Sequence, residues 1–281
     1  SAAASDVYKR QVSDFGREWD KFNHLDMDNS SLKTSFDSYF SMFPFETLPN
    51  NAEGFDMGCG SGRWAKFVAP LIYKLNCIDP SELALKQASQ NLSIHSNCNF
   101  ECATASENSL EESSQDFGYS LGVLHHTPDT FEALESCARK LKPGAPFLIY
   151  LYYSLDNKPV GYKLLWQVSN FLRKIISKLP FPIKFFISQI IGLLIYFPLA
   201  RICLIMEKLG FNVKNFPLSD YRPKPMYILR TDALDRFGTR LEHRFSQIEI
   251  VDMLKRAGFS NITFSKNPPF WTALAYKNTN L

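Results

Sequence analysis

The chain has 281 residues, 45% of them hydrophobic and 21% charged, with a formal net charge of +3. That composition is ordinary for a globular protein, excludes disorder as a default, and fits one large domain with an insertion or two small ones. The net charge is too small to argue for nucleic acid, but it is unevenly placed. Between Lys158 and Lys214 nine Lys and Arg stand against one acid, Glu207, which leaves that stretch at about +8 and the remainder near −5.

Residues 1–11 have no initiator Met and read as a non-native leader. "DFGREWDKF" and "SLKTSFDSYFSMF" follow as short aromatic helical pieces, a cap over 12–51. From Ala52 to Tyr153 apolar strand candidates alternate with helices: "GFDMG", then "RWAKFVAPLI"; "LNCID", then "SELALKQASQNL" opened by Ser81 and Glu82; "CNFECA"; and "DFGYSLGVL". In "TPDTFEALESCARKLKPG", Thr127 is expected as N-cap with Pro128 in the first turn, and Pro143-Gly144 as the stop. "APFLIYLYY" has the composition of a strand buried on both faces. This alternation predicts βαβ units and a doubly wound α/β sheet.

From Ser154 to Arg240 the pattern changes. "GYKLLWQVSNFLRKIISKLP" carries a helical apolar stripe opposite Lys163, Arg173, Lys174 and Lys178, and a nearly continuous apolar run follows over 185–200. Those 16 residues, interrupted at Pro198, are shorter than the roughly 18–20 of a membrane span, so a transmembrane helix is not expected. The core resumes over 241–281 with the helix "SQIEIVDMLKRAGF" and the strands "NITFS" and "WTALAYK". Cys59, Cys77, Cys98, Cys102, Cys137 and Cys203 include no C-x-x-C pair and no His at zinc spacing. They read as small buried residues in a reducing compartment. With no secretory signal pattern in view, the expectation is a cytoplasmic protein without a metal.

"FDMGCGSG" (55–62) is a glycine loop behind an acid. A P-loop would need a second Gly and a Lys where Arg63 and Trp64 stand, and a dinucleotide fingerprint needs wider spacing than Gly58, Gly60 and Gly62 provide. Asp56 would repel a diphosphate and favour an ammonium or sulfonium. S-adenosylmethionine has both and no phosphate. Asp79, 23 residues beyond Asp56, stands where a carboxylate can accept both hydroxyls of a ribose.

"DMGCGSG", "IDPSELAL" and "DFGYSLGVLHHTPDTFEALESCARKLKPGAPFLIY" together resemble the class I S-adenosylmethionine-dependent methyltransferases, in particular their small-molecule group with "GVLHH" after the fourth strand. The resemblance covers about 52–153 and 246–277. It implies a Rossmann-like seven-stranded sheet with an N-terminal helical cap and a helical insertion after strand five. Asp56, Gly58, Cys59, Gly60 and Gly62 would border the methionine part of the cofactor. Asp79 would hold the ribose with Pro80 beside the adenine, Thr104, Ala105 and Ser106 would meet the adenine edge, and Leu121 would line the floor. Many relatives carry an Asp in that third loop; its absence here leaves a backbone contact as the alternative.

For the chemistry, His125, His126 and Tyr153 follow strands four and five and are the candidate bases, against loop-packing roles. Phe15 and Trp19 lie four apart and could cap the cofactor or simply pack. Tyr221, Arg222, Arg230, Asp232, Arg236 and Arg240 are the candidate acceptor-binding group; salt bridges tying the insertion together are the alternative. The expected activity is methyl transfer to a small, anionic metabolite at O, N or S beneath a helical lid, releasing S-adenosylhomocysteine. Two alternatives stand beside it: an enzyme docked on a membrane surface through 160–210, acting on a lipid or quinone-like acceptor, and a non-catalytic cofactor-binding subunit. The same segment could instead form a homodimer contact. "NPPF" (267–270) matches a nucleic-acid methyltransferase tetrad by letters but lies far from strand four, so it reads as a turn and nucleic acid is not an expected partner.

Overall fold

The computed structural model describes residues 2–21, 29–154, 160–213, 216–267, 269 and 271–279. The elements are α1 (Ala2–Lys21), α2 (Asn29–Phe40), β1 (Glu53–Met57), α3 (Ala65–Val68), β2 (Lys74–Asp79), α4 (Glu82–Asn91), β3 (Cys98–Cys102), β4 (Phe117–Leu121), α5 (Thr130–Lys140) and β5 (Pro146–Tyr150). They continue with α6 (Val160–Ile176), α7 (Phe181–Ile191), α8 (Phe197–Lys208), α9 (Met226–Gly238), α10 (Gln247–Arg256), β6 (Phe259–Phe264) and β7 (Thr272–Lys277). Contacts divide the chain into two compact units, 1–154 with 241–281 and 155–240.

The first unit is an α/β domain around a seven-stranded sheet of order β3-β2-β1-β4-β5-β7-β6. Strands β1 to β5 run parallel, and β7 is inserted antiparallel between β5 and β6. The expected Rossmann-like seven-stranded sheet is present. Its centre is set by two reciprocal contacts. Gly54 pairs with Phe117 and Phe55 with Gly118, and a Cβ on either glycine would stand 2.3 Å from the facing ring. Each ring therefore lies over the bare backbone of the neighbouring strand, and the four residues bind β1 tightly to β4.

The helix starts follow local chemistry. Ser81 caps α4 by accepting from Ala84 N. Ser246 and Glu249 close a capping box on α10, which ends before Gly258 at φ +86°. For α5 the cap is Asp129 and not Thr127: its carboxylate accepts from Phe131 N and Glu132 N at 2.9 and 3.0 Å. The Thr127 hydroxyl donates instead to Leu124 O at 2.7 Å. An acid two residues further on completes the geometry better, because its charge also meets the positive end of the helix.

The second unit is helical. One face of α7 and α8 is buried, at Phe181, Lys184, Ser188, Gly192, Tyr196, Ala200 and Cys203, and α9 supplies Leu229, Ala233 and Phe237 to the same small core. Two sequence expectations change here. Helical structure runs unbroken over the 28 residues of Phe181–Lys208, which include an 18-residue window of mean hydropathy 2.0, because Pro198 sits at the start of α8 after a π turn at Gly192–Tyr196, where a missing N–H costs little. The helix is therefore long and apolar enough to cross a membrane, contrary to the reading that stopped at 16 residues. On α6 the apolar stripe faces outward, and the buried residues are Arg173 and Ile176.

Candidate functional site

The loop after β1 is bent by three residues in the left-handed region, Gly58, Gly60 and Gly62, at φ +80°, +54° and +77°. A Cβ on Gly58 would lie 2.3 Å from Val123 Cγ1, so glycine is required there for space as well as conformation. The backbone folds onto β2: Gly58 N and Cys59 N both donate to Ile78 O, and Gly60 N donates to Asp79 Oδ2 at 2.9 Å. Asp79 Oδ1 accepts from Ser81 N at 2.9 Å. The second carboxylate of the motif is thus aimed by the backbone while each oxygen keeps a lone pair for a ribose hydroxyl. Burial raises its pKa to about 6, against the two backbone bonds.

Asp56 is buried at 1% exposure. Its Oδ2 has no hydrogen-bond partner among the described residues. Burial pushes its carboxyl up to about 8, with Asp79 adding and the Tyr119 hydroxyl and Arg63 opposing. A buried acid with an unused oxygen, beside a glycine loop no side chain fills, fits a ligand that brings its own positive charge. Cys59 is buried and Ser61 is buried beside it. Pro80 is half-buried behind Asp79. In the third loop Ala105 is buried, Thr104 half-buried and Ser106 exposed. Asn108 Nδ2 already donates to the carbonyls of Thr104 and Ala105, which leaves backbone N–H groups and side chains there to meet a base. Leu121 belongs to the sheet core, followed by Gly122 at φ +80°.

The candidate bases sit together just beyond β4 and β5. His125 is fully buried, 3.9 Å from the Tyr152 ring and 4.1 Å from that of His126. Neither of its ring nitrogens has a partner among the described residues. Burial, then His126, Arg244 and His243, hold its pKa well below the ordinary value, so His125 is a neutral packing ring and a weak base. Against His126 the position is better: its Nδ1 lies 2.8 Å from Leu241 O. A carbonyl only accepts, so Nδ1 carries the hydrogen and Nε2 is the basic nitrogen. Phe15 packs on His126 at 5.3 Å; the Trp19 side chain lies outside the described residues, as do Pro268 and Phe270 of the "NPPF" turn. Tyr153 stacks on Trp271 at 4.9 Å, and its carbonyl accepts from Arg244 Nη1.

At this end Tyr8, Gln11, Tyr39, Trp64 and Glu242 were not singled out from sequence, whereas Arg244 was read with the Arg-rich segment and Tyr150 with the end of strand five. Gln11, in the presumed leader, is 4% exposed, donates to His126 O and Leu241 O, and accepts from Leu241 N. Burial and then the charge of Asp79 raise the Tyr8 pKa to about 12. Arg244 lies 5.2 Å over the Tyr152 ring and 2.9 Å from Glu242, whose side chain is 1% exposed. Tyr39, Trp64 and Tyr150 continue an aromatic row. The only sequence signal for these positions would have been polar residues within apolar-periodic segments, which is weak for a single Gln or Tyr.

The expected acceptor-binding group lies in the second unit and is engaged within it. Arg222 pairs with Glu207 through two 2.7 Å bonds. Arg230 Nε donates to Gln189, and Arg236 lies 5.3 Å over Trp166. Arg240 donates to the carbonyls of Ser177 and Lys178. Tyr221 packs on Tyr196 at 5.6 Å, and Asp232 is half-buried on α9. The Arg222–Glu207 contact is a salt bridge within the unit. A cleft of about 490 Å³ lined by Glu53, Lys74, Asn76 and Gln115 lies at the amino ends of the strands, away from this site.

The sequence profile of a family described as "Methyltransferase domain" matches residues 55–149, the span from β1 to β5. Residues 55–149 form a methyltransferase domain. The cofactor of such a domain is S-adenosylmethionine, and Asp56, the glycine loop and Asp79 are the residues that would hold it. The sterol 4-C-methyltransferase strm-1 of Caenorhabditis elegans is 29% identical to the chain over 126 residues, 42% of this chain and 37% of that protein. The ubiquinone biosynthesis O-methyltransferase of Thiobacillus denitrificans is 28% identical over 126 residues, 44% of this chain and 53% of that protein. The chain thus spans about a third to a half of the length of these relatives. Among solved structures, Burkholderia thailandensis 1,6-didemethyltoxoflavin-N1-methyltransferase, determined with S-adenosylhomocysteine bound, shares the fold at TM-score 0.56 and 14% identity, over 99% of this chain and 92% of that one. These matches do not distinguish the narrower "GVLHH" group.

Proposed function

We propose that the chain transfers the methyl group of S-adenosylmethionine to a small-molecule acceptor of low polarity. The observation that carries the reading is the buried, unpartnered Asp56 oxygen beside the glycine loop, with Asp79 oriented next to it. The bound cofactor supplies an activated methyl group on a good leaving group, so the protein's task is mainly alignment. Asp56 would neutralise the ammonium of the methionine part and Asp79 would accept from the ribose hydroxyls. His126 Nε2 would take a proton from an acceptor that carries one.

The preference for low polarity replaces the anionic acceptor expected from sequence. Arg222, Arg230, Arg236 and Arg240 have bonds inside their own unit, and Arg244 is met by Glu242. The rings of Tyr39, Tyr150 and Tyr152 line the carboxyl end of β5 instead. The names of the two relatives, a sterol and a ubiquinone-pathway methyltransferase, point the same way. The test is incubation with cofactor labelled in the methyl group and a crude metabolite extract, followed by solvent partition. Label in the organic phase is expected. Label in the aqueous phase restores the anionic acceptor. No transfer above an Asp79→Ala control, with cofactor still bound by the unaltered protein, supports the non-catalytic alternative.

A further inference from the structure

The second unit presents an apolar surface that its own core leaves uncovered. Of the 24 large hydrophobic residues exposed among the described residues, 18 fall between Val160 and Phe211. On α6 they form one stripe, with Leu164 at 61%, Val168 at 53% and Phe171 at 64% exposure; on the long helix Phe186 stands at 65%, Leu194 at 66% and Ile205 at 58%. Contiguous patches of this kind mark an interaction site, whereas scattered single residues do not.

The charge at its edges says what covers it. Lys174 and Lys178 follow Phe171 and Ile175 by three residues, which on a helix places them along the border of the stripe, and Lys208 adjoins the exposed Leu209. All three are exposed. Between 160 and 211 the only acid is Glu207, and it is held by Arg222. An apolar stripe with a cationic border is complementary to an anionic bilayer surface, where chains receive the apolar side chains and headgroups meet the lysines. It is a poor match for a second copy of the chain, since two such borders would repel. A spanning arrangement fits less well, because the inner face of the long helix packs on α9, which carries Arg230, Asp232, Asp235 and Arg236.

We propose that residues 160–211 are a docking surface for an anionic lipid bilayer, with α6 and the α7–α8 helix lying in the interface and their apolar faces inserted. The proposal stands independently of the methyl-transfer reading, because docking needs neither cofactor nor acceptor.

Vesicle flotation tests it, comparing equal parts phosphatidylcholine and phosphatidylglycerol with phosphatidylcholine alone. The protein is expected to float with the anionic vesicles and, at higher salt, to float less. The pair Lys174→Glu and Lys178→Glu should weaken binding on the order of tenfold or more, and the pair Phe186→Asp and Leu194→Asp should abolish it. Both pairs of surface variants should still bind S-adenosylhomocysteine, which shows that the fold is intact, and an Asp79→Ala protein, impaired in that binding, should float like the parent. Failure to float with either vesicle overturns the proposal. So does flotation indifferent to both pairs of substitutions, or a vesicle-free dimer that Phe186→Asp and Leu194→Asp convert to monomer without affecting flotation.

Discussion

Helices α10 and α6 are both amphipathic, yet they dispose of their apolar faces in opposite ways. In α10 Ile250, Met253 and Leu254 are buried against the sheet; in α6 the apolar stripe is exposed, and the buried positions are Arg173, bonded to the carbonyls of Thr239 and Arg240, and Ile176. Periodicity establishes that a helix forms and which face is apolar. What that face meets is decided elsewhere: α10 turns it onto the strands of the sheet, whereas α6 leaves it exposed.

The largest effects should come where backbone and carboxylates are fixed around the cofactor. Asp79→Ala removes two acceptors for ribose hydroxyls, each worth about 1.5–3 kcal/mol as a charged hydrogen bond. Affinity for S-adenosylhomocysteine should fall on the order of a hundredfold or more by calorimetry. A next test applies to the two helices themselves. Leu254→Ala should cost about 2–4 kcal/mol of unfolding free energy in a denaturant titration, because it leaves a cavity in the core. Leu194→Asp, on the outward face of the second unit, should change it by less than about 0.5 kcal/mol. Equal losses at both sites would mean that the apolar face of the second unit is covered in solution after all.

Much of the first unit was legible because its signals are local. The seven strands, the glycine loop and the acid at the end of β2 each follow from a few adjacent residues. Asp56 could be named from its place in the motif, but its unused oxygen could not, since that depends on what β2 and β4 leave unfilled. Gln11 and Glu242 were missed because their partners lie over a hundred residues away or within a segment of no regular structure. The Arg-rich segment misled for a related reason. Arg222 and Glu207 are 15 residues apart, so their pairing is invisible until the chain turns back.

A smaller effect concerns protons. The Asp56 pKa of about 8 in the folded, ligand-free protein lies above its ordinary 3.8. The unfolded chain therefore releases this proton first, and the group's contribution to stability is lost as pH rises from about 4 towards 8. Asp56→Asn should flatten that part of the stability profile. The ammonium of the ligand favours the ionised acid, so affinity for S-adenosylhomocysteine in the unaltered protein should rise with pH up to about 8 by as much as roughly tenfold per unit, with proton release, and then level off. A flat profile would mean that Asp56 is already ionised and partnered. The smallest change is Asp129→Ala, which removes the α5 cap for about 1 kcal/mol; Thr127→Ala should leave the helix start in place by hydrogen exchange.

The central claim is that Asp56, the glycine loop and Asp79 hold S-adenosylmethionine. It is tested most directly by titrating the unaltered protein and a Gly58→Val variant with S-adenosylhomocysteine in a calorimeter. Saturable one-to-one binding by the former and none by the latter, in which a side chain would collide with Val123, is the predicted result. No binding by the unaltered protein, or undiminished binding by the variant, would contradict the account.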